Sequence, residues 1–217
     1  HANDYFPKSR WNDINRNDTV VDHIVAQDSD IMSTELNRLH KLQGSEMFDL
    51  AQVRFHGVSA TSSQRTFSPD DVANFFSAES APQFYSYSST REDYAILFDG
   101  LMMRARYNVL RDVAVSDALN DNGYENVVWG QRGREGELQI KPRLKFTVNA
   151  ILPEFSGADD FIDALPAPYA LPTGVNWRDT RELPETAPKH AKQHSFAEHL
   201  LQNSSKPNVR LMPIENR

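Results

Sequence analysis

Two acidic side chains, Glu92 and Asp99, lie in a segment whose apolar spacing predicts a helix. The opposite face of that helix carries Ile96 and Met103 beside the two acids, so we expect burial on both sides. A buried carboxylate is costly unless it is paired or binds a metal, so these acids are candidates for one of those two roles. The main apolar face has the i, i+3, i+4, i+7 spacing and consists of Tyr94, Leu97, Phe98, Leu101, Met102 and Ala105.

Glu92 also fits a purely local role at the start of the helix. Ser89 or Thr90 can act as the N-cap, and Glu92 or Asp93 follows at the spacing of a capping box. An acid in the first turn also interacts favourably with the helix dipole. The residues by themselves leave both roles of Glu92 open.

A pair of histidines near the C-terminus has spacing that is compatible with metal binding. His190 and His194 are one helical turn apart and Glu198 follows four residues later, so one helix face would carry two imidazoles and a carboxylate. The segment lacks the Glu that follows the first His in a zinc-peptidase helix. Because polar residues on a terminal helix are usually exposed, we expect a solvated face here.

Two further groups could bind charged partners. His1 offers an amine and an imidazole that chelate copper in some β-sandwich proteins, whereas this chain is predicted to be mostly helical. Arg132 and Arg134 lie between glycines and could bind an anion or a carboxylate. The composition of the loop favours a solvated turn for these two arginines.

Composition excludes several classes of protein. Cysteine is absent, which rules out disulfides and thiolate chemistry. The net charge of −7 argues against nucleic acid as a partner. No apolar run is long enough to cross a bilayer, and no signal peptide is visible. Neither a serine-nucleophile motif nor a glycine-rich phosphate loop occurs. Because the sequence opens on His1 rather than Met, we expect a processed, trimmed or partly described product.

Helix signals recur along the chain and predict a mainly α fold (α+β with little strand). The pattern predicts helices from Ser33 towards Gly44, from Ser45 to Phe55, after Ser68-Pro69, and from Pro142 to Leu152. It also predicts an extended lead-in at residues 83–87, a strand at residues 126–129 and a loop at residues 116–123.

A change in composition predicts two regions. Seven of the twelve prolines lie from Pro166 onward, which is typical of an extended arm or a tail. We therefore expect a helical domain at residues 1–165 and a Pro-rich arm at residues 166–217, with Tyr169 and Trp177 partly docked. Residues 189–202 are predicted to form a last helix in the arm.

Three segments, taken in order, resemble bacterial envelope or secreted proteins related to gluzincin-type zinc metallopeptidases. Residues 1–7 (HANDYFP) are similar to the residues immediately after an H-E-x-x-H helix, with His1 in place of the second histidine. Residues 89–98 (STREDYAILF), with Met102-Met103 beyond, are similar to the helix in which the Glu of E-x-x-A is the third zinc ligand. Residues 129–153 contain WGQRGR, IKPR and ILP, which look like a segment of the same group with no assigned role.

The resemblance implies the C-terminal portion of a zincin-like helical domain that hydrolyses peptide bonds through a zinc-activated water. His1 and Glu92 would be zinc ligands, while an upstream segment of the same protein would supply the other histidine and the catalytic Glu. Asp4 or Asp93 would orient a ligand imidazole. An oxyanion would be stabilised by a tyrosine, the candidates being Tyr85, Tyr87 and Tyr94.

The same resemblance implies a peptide or protein substrate and a place in the bacterial cell envelope or outside the cell. Because the first half of H-E-x-x-H is missing from this sequence, a second hypothesis stays open. In that hypothesis the chain is a catalytically incomplete envelope interaction or binding protein built on the same fold.

Overall fold

The structure is a computed structural model that describes residues 32–117, 125–153 and 157–181 of the 217-residue chain. The described ranges contain six α-helices and one three-stranded sheet, which confirms the predicted mainly α class with little strand. None of the helices in these ranges has both the length and the apolar character needed to cross a membrane.

The helices and strands follow one another in a mixed order along the chain. The α-helices are α1 (Met32–Leu39), α2 (Ser45–His56), α3 (Pro69–Ser77), α4 (Thr90–Tyr107), α5 (Lys141–Ile151) and α6 (Ala158–Asp163). The strands are β1 (Asp112–Ser116), β2 (Val127–Arg132) and β3 (Tyr169–Ala170). Short 3-10 helices occupy Gln64–Thr66, Phe84–Tyr87, Arg134–Gly136 and Trp177–Arg181.

The start of α3 shows how local sequence fixes a helix boundary. The Ser68 hydroxyl accepts a hydrogen bond from the Asp71 amide at 3.2 Å, and the Asp71 carboxylate accepts one from the Ser68 amide at 2.8 Å. Pro69 occupies the first helical position, where its missing amide proton costs nothing. This capping box confirms the predicted helix start.

Helix α4 is the longest element in the described ranges, and it is buried on two sides only in part. Of its predicted apolar face, Tyr94, Leu97, Leu101 and Ala105 are buried in the core, Met102 packs against it and Phe98 is partly exposed. Ile96 on the other side is also buried. Asp99 and Met103 lie further along that second side, but the Asp99 side chain is 63% exposed and Met103 is 37% exposed. The expectation that Asp99 is buried was therefore wrong, because neighbouring residues cover this side of the helix at Ile96 but leave Asp99 exposed. Asp99 instead pairs with Arg111 near the surface.

Two apolar clusters form the core. The first joins α1, α4, α5 and α6 through Leu36, Tyr94, Leu97, Leu101, Ala105, Ile140, Leu144, Val148, Ala158, Ile162 and Leu165. The second joins α2, α3 and the residues before α4 to the sheet, through Leu42, Met47, Ala51, Phe76, Ala81 and Tyr87, with Trp129 packed against it. Helix α4 therefore begins where the two clusters meet.

The predicted extended lead-in to α4 was wrong, since residues 84–87 form a 3-10 helix. A turn of this kind places side chains three residues apart on one side. It brings the rings of Phe84 and Tyr87 to 6.4 Å, and Phe84 also contacts Phe55 of α2 at 5.1 Å. The 3-10 turn therefore places the buried Tyr87 ring against its aromatic neighbours.

The sheet has the order β1-β2-β3 and is antiparallel throughout. Ala114 lies opposite Gly130, and Gln131 lies opposite Ala170. The predicted strand at residues 126–129 is confirmed as part of β2, whereas β1 had no clear signal in the sequence. Residues 166–181, the described part of the predicted arm, lie along this sheet, and β3 belongs to them.

Candidate functional site

Glu92 lies in the first turn of α4 and is partly buried. Ser89 is the N-cap, and its hydroxyl accepts a hydrogen bond from the Glu92 amide at 3.2 Å. The Nε2–H of His56, from the end of α2, donates to the carbonyl oxygen of Ser88 at 2.9 Å. Hydrogen bonds therefore fix the backbone just before the N-cap, at Ser88, and just after it, at Glu92.

Asp93, the next residue, forms a buried ion pair with Arg143 of α5. The two side chains are only 7% and 2% exposed. The Arg143 guanidinium also donates to the carbonyl oxygens of Ser80 at 2.9 Å and His40 at 3.1 Å. Burial raises the pKa of the Asp93 carboxyl, and the Arg143 charge opposes that rise. One arginine therefore joins α4, α5 and two connecting segments next to Glu92.

The three candidate tyrosines differ in their access to solvent. Tyr87 is 1% exposed, Tyr94 is 3% exposed and Tyr85 is 41% exposed. Burial raises the pKa of the Tyr87 phenol. Tyr85 rests edge-on against the ring of Phe55, with the ring centroids 5.0 Å apart. Of the three, Tyr85 is the one that a substrate can reach without a rearrangement of the core.

His1, the other predicted ligand, lies outside the described residues. So do Asp4, which was predicted to orient a ligand imidazole, and the group of His190, His194 and Glu198, which was expected to be a solvated face. Within residues 32–117, 125–153 and 157–181, no three His, Asp or Glu side chains are grouped closely enough to hold a metal ion. A carboxylate is an accepted zinc ligand, so Glu92 fits one position of the implied set.

Arg134 corrects the expectation of a solvated turn, because it is 1% exposed. Its guanidinium donates to the carbonyl oxygen of Phe76 in the last turn of α3 (3.1 Å) and to those of Glu79 (2.6 Å) and Ala81 (3.0 Å) after the helix. It also lies over the rings of Phe76 and Trp129, 4.7 and 5.2 Å from their centroids. This side chain closes the C-terminal end of α3, where carbonyl groups lack helical partners.

Arg132 is also buried, and it binds a carboxylate of the chain itself. Its Nε and Nη2 atoms donate to the two Asp112 oxygens at 2.6 and 2.7 Å, and Nη2 donates to the Thr180 carbonyl oxygen at 2.7 Å. Of the two roles proposed for these arginines, the structure shows carboxylate binding for Arg132. Through these bonds Arg132 joins β1, β2 and the end of the described arm.

A run of buried charges between residues 132 and 143 is the feature that sequence reasoning missed. Glu135 is 3% exposed and lies beside Arg104 of α4 and Arg111. The Lys141 ammonium donates to the carbonyl oxygens of Asp163 and Leu165, both at 2.9 Å. With Arg132, Arg134 and Arg143, five charged side chains of one short segment are buried. No local signal separated these charges from those of a solvated turn, because many of their partners lie far away in the sequence.

No family model, curated protein or solved structure gives a significant match to this chain.

Proposed function

We propose that this chain is the C-terminal portion of a zinc-dependent metallopeptidase-like protein in which Glu92 is a zinc ligand. The observation that carries the proposal is the position of Glu92. It lies partly buried in the first turn of α4, beside the buried Asp93–Arg143 pair. The resemblance of residues 89–98 to a ligand-bearing helix selects this carboxylate among the acids of the chain.

The surroundings of Glu92 support such a role because they fix its backbone. A metal ligand must be held within a fraction of an ångström by its supporting residues. Arg143 holds the turn through Asp93, and His56 holds the residue before the N-cap. These contacts come from α5 and α2, so the turn is supported by two other helices.

Each residue would have a defined part in the reaction. Glu92 and His1 would bind the metal, together with a histidine upstream of His1, and a Glu upstream would act as the general base. Zinc, when bound, supplies a Lewis acid that activates water for attack on a peptide carbonyl. Tyr85 is exposed beside the start of α4 and would donate a hydrogen bond from its phenol to the oxyanion. The bacterial cell envelope or the medium is the expected location, and a peptide or protein is the expected substrate.

The test is metal analysis of the protein that includes its encoded upstream residues, purified without added metal or chelator. We expect near-stoichiometric zinc in the unchanged protein and its loss in Glu92→Ala. Zinc titration of Glu92→Gln should show affinity lowered by more than about 100-fold, beyond what changes around a ligand usually cause. Glu46→Gln is the matched control, because Glu46 is an exposed first-turn acid on α2.

Two results would contradict the proposal. Equal zinc affinity in Glu92→Gln and Glu46→Gln would remove Glu92 from the site. Absence of zinc in the unchanged protein, and no binding on titration, would favour the interaction or binding protein instead. Copper bound by a protein that begins at His1, and not by the longer protein, would point to the N-terminal chelate at His1.

A further inference from the structure

Glu135 lines a small cavity away from the start of α4. The cavity has a volume of about 10 Å³, close to the space that one water molecule needs. Arg104, Arg132 and Tyr169 contribute to its lining. Glu135 is 3% exposed, and its Oε1 atom lies against Gly100, 2.9 Å from where a Cβ would be. Its Oε2 atom receives no hydrogen bond from the described residues.

Residues 165–171, which we call the covering segment, close this cavity from one side. Gly136 approaches the Pro166 carbonyl oxygen so closely that a Cβ at Gly136 would overlap it. Lys141 binds the Leu165 carbonyl oxygen at 2.9 Å, and the Leu171 amide donates to Gly130 at 2.9 Å. Removal of the covering segment would expose the turn that carries Glu135 to water.

Charged and titratable groups face Glu135 from every neighbouring element. They are Asp99 and Arg104 from α4, Arg111 before β1, Arg132 from β2 and Tyr169 from β3. Arg132 is paired with Asp112, and Arg111 is paired with Asp99. Burial raises the pKa of the Glu135 carboxyl; a hydrogen bond from its own backbone, Arg111 and Arg104 lower that pKa, and Asp99 raises it. Burial is the largest of these influences, so the folded state favours the protonated form.

We propose that Glu135 is a pH-dependent switch that controls the docking of the covering segment. Protonated Glu135 is neutral and is tolerated in the closed cavity. Ionised Glu135 is costly there, and undocking of residues 165–171 would hydrate it. The closed arrangement should therefore be most stable in acid and should weaken as the pH rises.

Proton linkage determines how the stability of the closed state changes with pH. A carboxyl whose pKa is higher in the closed than in the open state binds more protons when closed. The stabilisation that the protonated carboxyl gives to the closed state is therefore complete below the ordinary Glu pKa of 4.5. It falls as the pH rises above that value, until the raised pKa is passed. The equilibrium constant for opening should increase about tenfold for each unit by which the two pKa values differ.

Hydrogen exchange of the full chain, followed by mass spectrometry near pH 5 and pH 8, tests the switch. Comparison of the unchanged protein with Glu135→Gln at one pH cancels the intrinsic exchange rate. At pH 8 we expect peptides spanning residues 165–171 to exchange faster in the unchanged protein, by about tenfold for each unit by which the two pKa values differ. At pH 5 this ratio should decrease, because Gln resembles the protonated acid. Glu46→Gln, an exposed change, should match the unchanged protein at both pH values.

Peptides from α5 distinguish the switch from global unfolding. If exchange in α5 changes as much as exchange in the covering segment, the effect is global and the proposal is wrong. Equal exchange of residues 165–171 in Glu135→Gln and the unchanged protein would also overturn it. If Glu135→Gln fails to fold, hydrogen exchange of the unchanged protein at the two pH values tests the proposal by itself. Protection of residues 165–171 relative to α5 must then fall from pH 5 to pH 8.

Discussion

Replacement of Asp93 by Asn tests whether the ion pair beside Glu92 supports the fold. The substitution keeps the shape of the side chain but removes its negative charge. Arg143 would then keep a full positive charge at 2% exposure with no carboxylate to balance it. Its remaining partners, the carbonyl oxygens of Ser80 and His40, carry only partial charges.

The burial of this ion pair sets how much folding stability Asp93→Asn should lose. Both side chains are shielded from water, so solvent screening does not reduce the interaction. Removal of one partner from a buried pair typically costs about 3–5 kcal/mol. For a chain of this length, such a loss lowers the midpoint of thermal unfolding by about 6–20 °C. Asp99→Asn is the matched control on the same helix, since the Asp99 side chain is 63% exposed and its pair with Arg111 should contribute less than about 1 kcal/mol.

Urea unfolding followed by tryptophan fluorescence and circular dichroism measures both variants, with the slope of the transition checked for two-state behaviour. The double variant Asp93→Asn/Arg143→Met should lose less than the sum of the two single changes, because no charge stays buried alone. If Asp93→Asn destabilises the protein no more than Asp99→Asn does, the pair does not support the fold. Strictly additive losses in the double variant would also refute the reasoning.

Two further changes test the buried segment. Arg134→Met removes one donor from the carbonyl oxygens of Phe76, Glu79 and Ala81, while the Glu79 amide still donates to Phe76 and the Gln139 side chain still donates to Glu79. The loss in urea unfolding should be about 1–3 kcal/mol, whereas Arg65→Met at an exposed site should cost less than about 0.5 kcal/mol. Equal losses would show that Arg134 does not close α3. Gly136→Ala should destabilise the protein by more than Gly57→Ala, because a Cβ at Gly57 meets no atom and costs only about 1–2 kcal/mol for the positive φ. A Gly136→Ala variant as stable as Gly57→Ala would contradict the close approach of Pro166.

Local signals predicted much of the fold. Ser68, Pro69 and Asp71 form the capping box that their order in the sequence indicates, because the interacting groups are only three residues apart. The apolar spacing of α4 and the proline at the start of α5 also gave helices at the expected places. For the candidate site, the start of α4 near Glu92 was predictable for the same reason, while the role of Glu92 as a ligand stays a prediction.

The sequence by itself thus determined helices α1 to α5, because periodicity and capping act within a few residues. The tertiary structure decided which charges are buried and what they bind. Arg143 reaches a carbonyl oxygen 103 positions away in the sequence, and Arg134 reaches one 53 positions away. No short window contains both partners of such a bond, and a guanidinium among glycines has the same local pattern as a solvated turn. Only the packing of α3, α4 and the sheet around residues 132–143 supplies the acceptors that make burial of these charges possible.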